Sequence, residues 1–349
     1  MAEPNPEIEG VDLAVLDQWM DEQGLPKGGI AHVEALGGGT QNILLRFTRG
    51  GERYVLRRPP LHKRKNSDET MRREARVLAA LKGSEVPHPD LIAACADESL
   101  LGAAFYLMEP IEGFNPTTGL PALHAGDPKI RHRMGLAMAD AAAALGRVDH
   151  VAVGLEDFGR VAGWPERQVP RWRSHLEGYS EFEGYPGPEF PGVDEVADWL
   201  EANLPSSWQP GIIHGDYHLA NVMFRQDGPE LAAVVDWELC TLGDPLLDLG
   251  WLLATWPDTD GPSPGSIAIQ PWSDFPSAEE LVAQYARSSS RDLSALTWYE
   301  VLACFKLGIV IEGTHARAFA GKAPKDVGEV LHATAVGLFG RALERIAAS

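Results

Sequence analysis

Apolar and polar residues alternate in the first third of the chain, as they do in short strands. The segments AHVEAL (31–36), NILLRFT (42–48) and RYVLRR (53–58) follow this period of two. Glycine-rich segments separate them, and glycine supplies the tight turns that join antiparallel strands. A further segment, SLLGAAFYLMEPIEGF (99–114), predicts two more strands with a tight connection. The N-terminal part is therefore predicted to contain a small antiparallel sheet.

Helical spacing of apolar residues appears at 11–24 and 67–83 and dominates after about residue 127. The later helices are predicted at five segments: 129–150, 193–204, 277–290, 293–320 and 326–347. Stretches rich in proline and glycine at 183–193 and 257–276 predict loops, and the second has the length of a lid or binding loop. The C-terminal part is therefore predicted to be mostly helical.

Charge is unevenly distributed along the chain. The formal net charge is −20, which argues against nucleic acid as a partner because phosphate backbones require a basic surface. Between Arg46 and Lys82, however, basic residues outnumber acidic ones and give a local charge of about +8. An acidic remainder follows. A basic N-terminal part joined to an acidic C-terminal part would suit an anion held against a cation, although on charge alone a solvated loop and helix face is the favoured explanation.

The cysteines and the hydropathy of the chain bear on the cellular compartment in which we expect the protein. The three cysteines are scattered and form no CxxC pair, which indicates neither a disulfide framework nor a cysteine zinc site. The N-terminus MAEPNPEIEG lacks a signal-peptide core, and no apolar run reaches the roughly 18 residues of a membrane span. We expect a cytoplasmic protein, monomeric or homodimeric, without a membrane partner.

The segment GIIHGDYHLANVMF (211–224) carries the densest chemistry. Asp216 and Asn221 lie five residues apart, and the turn signal RQDG (225–228) leads into ELAAVVDWE (230–238). A hairpin there is expected to bring Asn221 near Asp236. Carboxylate and amide oxygens suit Mg²⁺, whose other usual ligands are substrate phosphates. The segment therefore predicts a magnesium site.

The order HGDYHLAN, VVDWE and LGDPLLDLGWLL resembles the aminoglycoside phosphotransferase and choline kinase branch of the protein-kinase-like superfamily. The resemblance covers nearly the whole chain. YVLRRPP and FYLMEPIEG are most similar to the phosphotransferase domains related to acyl-CoA-dehydrogenase fusion proteins. It implies an α+β, bilobal protein-kinase-like fold, with a nucleotide-binding lobe at 1–110 and a catalytic, acceptor-binding lobe at 111–349.

The resemblance implies a role for each motif residue. Asp216 would orient the acceptor hydroxyl and take its proton, while Asn221 and Asp236 would hold Mg²⁺. Arg57 stands where kinases carry the phosphate-binding lysine, and Glu74 would pair with it. Strand alternation lets only one residue of the pair Arg57 and Arg58 point into the site, and the sequence leaves the choice open.

The remaining candidates concern the nucleotide and the acceptor. The donor is expected to be ATP or GTP. Backbone N–H groups of a glycine-rich turn would face its phosphates, at Gly37, Gly38, Gly39 and Thr40. A hinge-like strand end would meet the base, at Met108, Glu109 and Ile111. Candidate contacts to a small hydroxylated acceptor are Glu238, Trp172, Glu312 and Arg317.

Two questions stay open at this point. His214, Asp216 and His218 alternate, so on a strand they would share one face and could ligate zinc in a metallohydrolase; a non-catalytic nucleotide-binding protein is a third possibility. The acceptor class is also open, with an aminoglycoside-like or other small hydroxylated acceptor favoured by the family resemblance and hydroxyacyl-CoA thioesters as the alternative. An acidic C-terminal lobe suits a cationic aminoglycoside or amino alcohol, whereas the subfamily resemblance implies hydroxyacyl-CoA thioesters, which are anionic.

Overall fold

The computed structural model describes residues 8–37, 42–188, 191–257 and 265–349. The chain forms two compact units. The first comprises Met1–Glu112 and Ala232–Glu238, and the second comprises Gly113–Leu231 and Leu239–Ser349. Segment 232–238, which the sequence analysis placed in the C-terminal lobe, is held in the first unit in part by a hydrogen bond from the Val234 N–H to the Pro87 carbonyl oxygen at 2.8 Å.

Eight helices and strands make up the N-terminal part of the first unit. In chain order they are α1 (Leu13–Glu22), β1 (Ala31–Ala35), β2 (Ile43–Arg49), β3 (Glu52–Arg58), α2 (Ser67–Leu81), β4 (Leu91–Cys95), α3 (Glu98–Leu101) and β5 (Phe105–Met108).

The rest of the chain is mostly helical. Its elements are α4 (Ala122–Gly126), α5 (Pro128–Arg147), α6 (Gln168–Glu177), α7 (Val193–Ala202), β6 (Gly211–Ile213), β7 (Val222–Phe224), β8 (Leu231–Val234), β9 (Thr241–Gly243), α8 (Leu246–Thr255), α9 (Ala278–Ser288), α10 (Leu296–Phe319) and α11 (Lys325–Ala347).

The sheet of the first unit is antiparallel, with the strand order β1-β2-β3-β5-β4. The prediction of two strands within 99–114 was wrong for its first half. Residues Glu98–Leu101 are helical because the Asp97 side chain accepts from the Ser99 N–H and caps the turn, and Gly102 ends it with φ of +72°. The missing strand is Leu91–Cys95, which pairs with β5 at the edge of the sheet.

Helix α1 is fixed to the sheet by packing and by charge. Its Trp19 ring meets Phe105 edge-on, with centroids 4.8 Å apart, within the core of this unit. At the end of β2, the buried Arg49 side chain reaches Asp17 and Asp21 of α1, at 2.6 Å each. The guanidinium also donates to the carbonyl oxygens of Pro26 at 2.6 Å and Asp17 at 3.2 Å, so partners within the protein replace the water that burial removes.

The second unit is built on helix packing. Helix α10 packs against α8 and α11, and Gly250 of α8 makes one close approach possible. A Cβ atom at Gly250 would lie 2.6 Å from the backbone carbonyl carbon of Tyr299 on α10. The buried positions of α8 run continuously along Leu246–Thr255. Because α8 has no polar face, its sequence lacks the amphipathic spacing by which the long helices were predicted.

The predicted α+β fold is confirmed in its main features, with a five-stranded antiparallel sheet in the first unit and a mostly helical second unit. Across the described ranges, no helix combines the length and the apolar character that crossing a bilayer requires.

Candidate active site

The loop after β6 carries the HGD motif of the second unit. Strand β6 pairs antiparallel with β9, which fixes where the chain leaves the strand at His214. Gly215 has φ of +86°, and a Cβ atom there would lie 2.6 Å from the carbonyl oxygen of Leu239. Both facts require glycine, because any side chain would strain the backbone and clash. The tight loop delivers Asp216 at a defined position.

Asp248 of α8 holds this loop from below. Its carboxylate accepts the backbone N–H groups of His214 at 2.7 Å and of Gly215 at 2.9 Å. Burial raises the pKa of Asp248, and these two hydrogen bonds oppose that shift. Asp248 therefore acts as a brace for the loop, in agreement with the buried position of this residue in the apolar helix.

Asp216 lies between two side chains of the same segment. His218 Nε2 lies 3.1 Å from Asp216 Oδ1, and Asn221 Nδ2 donates to Asp216 Oδ2 at 2.8 Å. The Nδ1 atom of His218 accepts from the Ala220 N–H at 3.2 Å, which leaves the proton of a neutral ring on Nε2. His218 was assigned no role from the sequence, although it lies two residues from Asp216.

These contacts set the charge of Asp216. Burial alone would raise the pKa of the Asp216 carboxyl, but the hydrogen bonds from His218 and Asn221 hold it well below its usual range. The carboxylate is therefore ionised throughout the neutral pH range. Its two oxygen atoms also keep a fixed direction, because each has its own donor.

Lys306 is a residue that the sequence analysis missed. It lies in the apolar stretch ACFKLGIVI of α10, and its Nζ atom donates to the Gly215 carbonyl oxygen at 2.9 Å. The rings of Trp251 and Trp172 lie 4.5 and 5.5 Å from Nζ. Burial lowers the pKa of Lys306 to about 8, although the nearby Asp216 carboxylate opposes the shift. One lysine within an apolar helix was the available signal, since a buried charge requires a partner.

A cavity of about 480 Å³ opens beside Lys306. Aliphatic, aromatic and cationic side chains line it, and its polar and aromatic groups include Trp164, Gln168, Arg171, Trp172, His175 and Lys306. No carboxylate of the described residues lines it. The buried indole N–H of Trp172 has no acceptor in the described part of the chain, and Arg171 lies over the same ring at 5.2 Å. The cavity therefore offers hydrogen-bond donors and positive charge.

The predicted acceptor residues are separated by the structure. Trp172 lines the cavity, whereas Glu238 belongs to the first unit. Glu312 is fully buried between the Tyr185 hydroxyl and two histidines, and Arg317 donates to Thr314 Oγ1 at 2.7 Å; neither lines the cavity.

The predicted binding loop at 257–276 is described in part, and it also lies elsewhere. Its Trp272 and Phe275 rings stack at 4.5 Å beside Trp256, and all three border a different cavity of about 400 Å³. The loop was expected to contact the acceptor, but its described residues do not line the cavity beside Trp172.

In the first unit, an arginine on β3 pairs with two carboxylates, and a tyrosine hydroxyl donates to one of them. Arg57 Nε lies 2.8 Å from Glu74 Oε2, and its Nη2 donates to Asp236 Oδ1 at 2.8 Å. The Tyr106 hydroxyl donates to Glu74 at 2.7 Å. Arg58, the alternative left open by strand alternation, instead donates to backbone carbonyl groups, among them that of Pro59 at 3.2 Å. Arg57 is therefore the arginine that reaches Glu74.

Electrostatics keep this arginine charged. Burial alone would lower the pKa of Arg57, but the carboxylates of Glu74 and Asp236 raise it above its ordinary value. Burial raises the pKa of Glu74, while the Arg57 guanidinium opposes that shift. Asp236 stays partly exposed and has φ of +66°, a left-handed conformation that few residues other than glycine adopt. This backbone turns its carboxylate toward Arg57.

Carboxylate oxygens of Glu74, Asp236 and Glu238 all lie within 4.8 Å of one another. Hard oxygen donors at this spacing fit a cation such as Mg²⁺.

In the second unit, Asn221 uses its amide N–H group on Asp216, which leaves its carbonyl oxygen for a cation. Arg225 closes the predicted turn by donating its N–H to the Glu230 carbonyl oxygen at 3.0 Å.

Part of the predicted nucleotide site falls outside the described residues, namely Gly38, Gly39 and Thr40. Gly37 is described, and a Cβ atom there would meet nothing within 4 Å. At the end of β5, beyond Met108, the Glu109 N–H donates to the Asp90 carbonyl oxygen at 3.0 Å. The Glu109 N–H is therefore already paired, and the contact of Met108, Glu109 and Ile111 with a base edge stays a prediction.

The geometry does not support a zinc site formed by His214, Asp216 and His218. His214 is fully buried, and its Nδ1 atom accepts from the Asp216 N–H at 3.3 Å. In the described ranges, groups of three or more side chains spaced to hold a metal ion do not include the His214, Asp216 and His218 set.

Comparison with known proteins places this geometry in a family. A family model described as the phosphotransferase enzyme family matches residues 32–284, more than half of the chain. The chain is 30% identical over 306 residues to acyl-CoA dehydrogenase family member 11 of Gallus gallus, covering 85% of this chain and 38% of that protein. It is 31% identical over 285 residues to a probable acyl-CoA dehydrogenase of Arabidopsis thaliana, covering 78% of this chain and 34% of that protein. The chain thus spans little more than a third of these relatives.

Solved structures have a similar fold. A crystal structure from Ralstonia eutropha, assigned as an aminoglycoside phosphotransferase, superposes with a TM-score of 0.77 at 28% identity, covering 95% of this chain and 98% of that one. The GDP complex of aminoglycoside 2'-phosphotransferase-IIIa has a TM-score of 0.62 at 14% identity over 97% and 100% of the two chains, which shows a shared fold. The chain therefore belongs to the phosphotransferase enzyme family, and it is a small-molecule kinase with the α+β protein-kinase-like fold.

Proposed function

We propose that this protein transfers the γ-phosphate of ATP or GTP, in the presence of Mg²⁺, to a hydroxyl group of a small anionic molecule. The observation that carries the proposal is the fixed carboxylate of Asp216, held by His218 at 3.1 Å and Asn221 at 2.8 Å beside a cationic cavity. A carboxylate in this setting can accept a hydrogen bond from an incoming hydroxyl and aim its oxygen at a phosphorus atom.

Asp216 contributes mainly by orientation. In the transfer, a bond forms between the acceptor oxygen and the γ-phosphorus, the bond to the nucleoside diphosphate breaks, and the hydroxyl proton passes to Asp216. Because the pKa of Asp216 is held low, its carboxylate is a weak base, and the proton moves late. Late proton transfer suits the loose transition state of phosphoryl transfer, in which the attacking oxygen carries little positive charge until bonding advances.

The residues present fit a magnesium ion. Asp236 offers a partly exposed carboxylate, and Asn221 offers an amide oxygen. These two residues would act as ligands, and the ion would supply positive charge to neutralise the phosphate oxygens of the donor. Arg57 currently pairs with Asp236, so metal binding there would free one face of the guanidinium for phosphate.

Nucleotide selection is assigned to the first unit. Arg57 would contact phosphate with a guanidinium that Glu74 keeps in place at 2.8 Å. Gly37, Gly38, Gly39 and Thr40 would offer backbone N–H groups to the phosphates, and Met108, Glu109 and Ile111 would meet the base edge. Neighbours with related folds bind GDP, ADP or AMP-PNP, so both purines are candidates for the donor.

The acceptor is inferred from the cavity beside Lys306. Arg171, His175 and Lys306 supply its charged or protonatable groups, and the described lining has no carboxylate. A polycationic aminoglycoside would be repelled by this wall, whereas phosphate, carboxylate or thioester-linked anions would be attracted. The relatives with acyl-CoA dehydrogenase in their names favour hydroxyacyl-CoA thioesters among these anions. We therefore place the anionic acceptor above the cationic one that the acidic net charge suggested.

A nucleotide-consumption screen tests the proposal. Purified protein with Mg²⁺ and either ATP or GTP is offered four acceptor groups: aminoglycosides, amino alcohols, sugars and hydroxyacyl-CoA thioesters. The expected result is acceptor-dependent release of nucleoside diphosphate with the anionic thioesters, absent in the Asp216→Asn variant. Turnover with aminoglycosides alone would overturn the acceptor assignment, and turnover unaffected by Asp216→Asn would overturn the mechanism.

A further inference from the structure

A second cluster of titratable side chains lies in the second unit, outside the cavity described above. The Glu312 carboxylate is fully buried, and three groups surround it. His315 Nδ1 lies 3.0 Å from its Oε1 atom, His332 Nδ1 lies 2.9 Å from its Oε2 atom, and the Tyr185 hydroxyl donates to Oε1 at 2.7 Å. The phosphotransfer proposal uses none of these residues.

The helices are arranged to bring these groups together. Glu312 and His315 are three residues apart on α10 and share one face, and His332 comes from the neighbouring α11. Gly328, one turn before His332, allows the close approach, because a Cβ atom there would lie 3.2 Å from the His315 Cα atom. Glu-x-x-His on one helix, completed by a residue from a facing helix, is a common way to build metal sites in helical proteins.

The spacing of the ligand atoms also fits a metal ion. All three side chains offer ligand atoms within 4.8 Å of one another, and the two imidazole-to-carboxylate distances are 2.9 and 3.0 Å. Bonds of ~2.1 Å from one ion to neighbouring ligands at right angles place those ligands about 3.0 Å apart. Two imidazoles and one carboxylate form a set that suits first-row transition metals and leaves positions open for water.

We propose that Glu312, His315 and His332 form a binding site for one divalent first-row transition-metal ion. Glu312 supplies the negative charge, and the Tyr185 hydroxyl orients its carboxylate. The imidazole side chains keep solvent access, with 14% and 26% of the His315 and His332 side chains exposed, so an ion can enter. The Phe319 ring, 5.1 Å from the His315 ring, forms an apolar wall beside the site.

A metal ion there would join α10 to α11. It would also hold Tyr185, and with it the segment that precedes α7, against α10. Because the ion binds the folded arrangement of both helices, it would stabilise the fold by mass action. This role does not depend on which acceptor the enzyme uses, so its test is separate from the nucleotide-consumption screen.

The full chain, with any histidine tag removed and dialysed against a chelator, is titrated with Co²⁺ and separately with Zn²⁺. We expect one Co²⁺ per chain with visible d–d absorption, and a rise in melting temperature with stoichiometric Zn²⁺. In His332→Ala, we expect the Co²⁺ affinity to fall at least about tenfold and the Zn²⁺-dependent rise to vanish. His132→Ala is the matched control, because His132 also lies beside a glutamate, 3.1 Å from Glu280, but at the surface.

Two results would overturn the proposal. If wild-type protein shows neither Co²⁺ absorption nor a Zn²⁺-dependent melting shift, the cluster is a hydrogen-bonded ion pair without metal. Equal Co²⁺ affinity in wild type and His332→Ala places the metal elsewhere and also overturns it. Should His332→Ala fail to fold by circular dichroism, Glu312→Gln keeps the side-chain shape and takes its place, with the same two outcomes.

Discussion

His218 Nε2 lies 3.1 Å from Asp216 Oδ1, while Nδ1 of the same ring accepts the Ala220 N–H at 3.2 Å. The backbone contact fixes the ring, so its proton points at the carboxylate in the neutral form. Asp216 therefore keeps its charge and its direction through a residue two positions along the chain. This arrangement makes the chemistry of the loop testable at single residues.

Replacing Asp216 should separate chemistry from nucleotide binding. Asp216→Asn keeps the side-chain size but removes the charge and the proton acceptor. We expect turnover to fall by ~10²-fold or more, with nucleotide affinity changed by less than about twofold. Steady-state kinetics and nucleotide titration of the same preparation measure both. Turnover within a few-fold of wild type would remove Asp216 from the mechanism.

Removing His218 should shift the pH dependence. The hydrogen bond from His218 lowers the pKa of Asp216, so its loss in His218→Ala raises that pKa. The acidic limb of the pH–rate profile should then move to higher pH. The value of kcat should fall roughly tenfold, because the charged Asp216 carboxylate loses a hydrogen bond from His218. His132→Ala, a surface histidine, is the control. An unchanged acidic limb in His218→Ala would mean that the ring only shapes the loop.

The two arginines at the end of β3 should differ in their effect on the nucleotide. Arg57→Lys keeps the charge beside Glu74 but loses the fork of donors, so the Michaelis constant for ATP should rise roughly tenfold. Arg58→Lys is the matched control and should change it by less than about twofold, because Arg58 donates to backbone carbonyl groups. The reverse order of effects would exclude Arg57 as the phosphate contact.

The acceptor cavity should respond to loss of positive charge. Arg171 lines the cavity, whereas Arg173, two residues along α6, pairs with Asp194 at 2.8 Å. Arg171→Gln should raise the Michaelis constant for an anionic acceptor several-fold, roughly 1 kcal/mol, and leave that for the nucleotide unchanged. Arg173→Gln is the control. A lower acceptor constant in Arg171→Gln would indicate a cationic acceptor instead.

Lys306 should make stability depend on pH in the alkaline range. Its pKa is about 8 in the folded protein and near its ordinary value when unfolded, so between pH 8 and 10 the unfolded chain binds more protons. The free energy of unfolding contributed by Lys306 therefore rises with pH there, by up to ~1.4 kcal/mol per pH unit. Denaturant unfolding of wild type, Lys306→Met and the exposed-site control Lys82→Met measures this slope. Equal slopes in wild type and Lys306→Met would show that Lys306 titrates normally.

Local pattern determined much of this protein. Alternation gave β1 to β3 and helical spacing gave the long helices, because both periods follow from backbone geometry and which side faces the core. The motif order predicted Asp216 as the proton acceptor and Asn221 and Asp236 as magnesium ligands, because phosphoryl transfer with Mg²⁺ uses oxygen donors. These roles stay predictions. Helix α8 was not predicted, because every one of its positions is buried and no polar face reveals the helical period of its sequence.

Tertiary structure alone decided the partners. Arg57 rather than Arg58 reaches Glu74 because the pairing of β3 with β5 puts Arg57 opposite Tyr106, on the side where Glu74 lies. Lys306 meets Gly215 across 91 residues of sequence, and Glu312 meets His332 on another helix instead of the acceptor. The negative net charge of the sequence suggested a cationic acceptor, whereas the charged side chains that line the cavity beside Trp172 are basic. Electrostatic interactions act over distances in space, and sequence separation carries no information about those distances until the chain has folded.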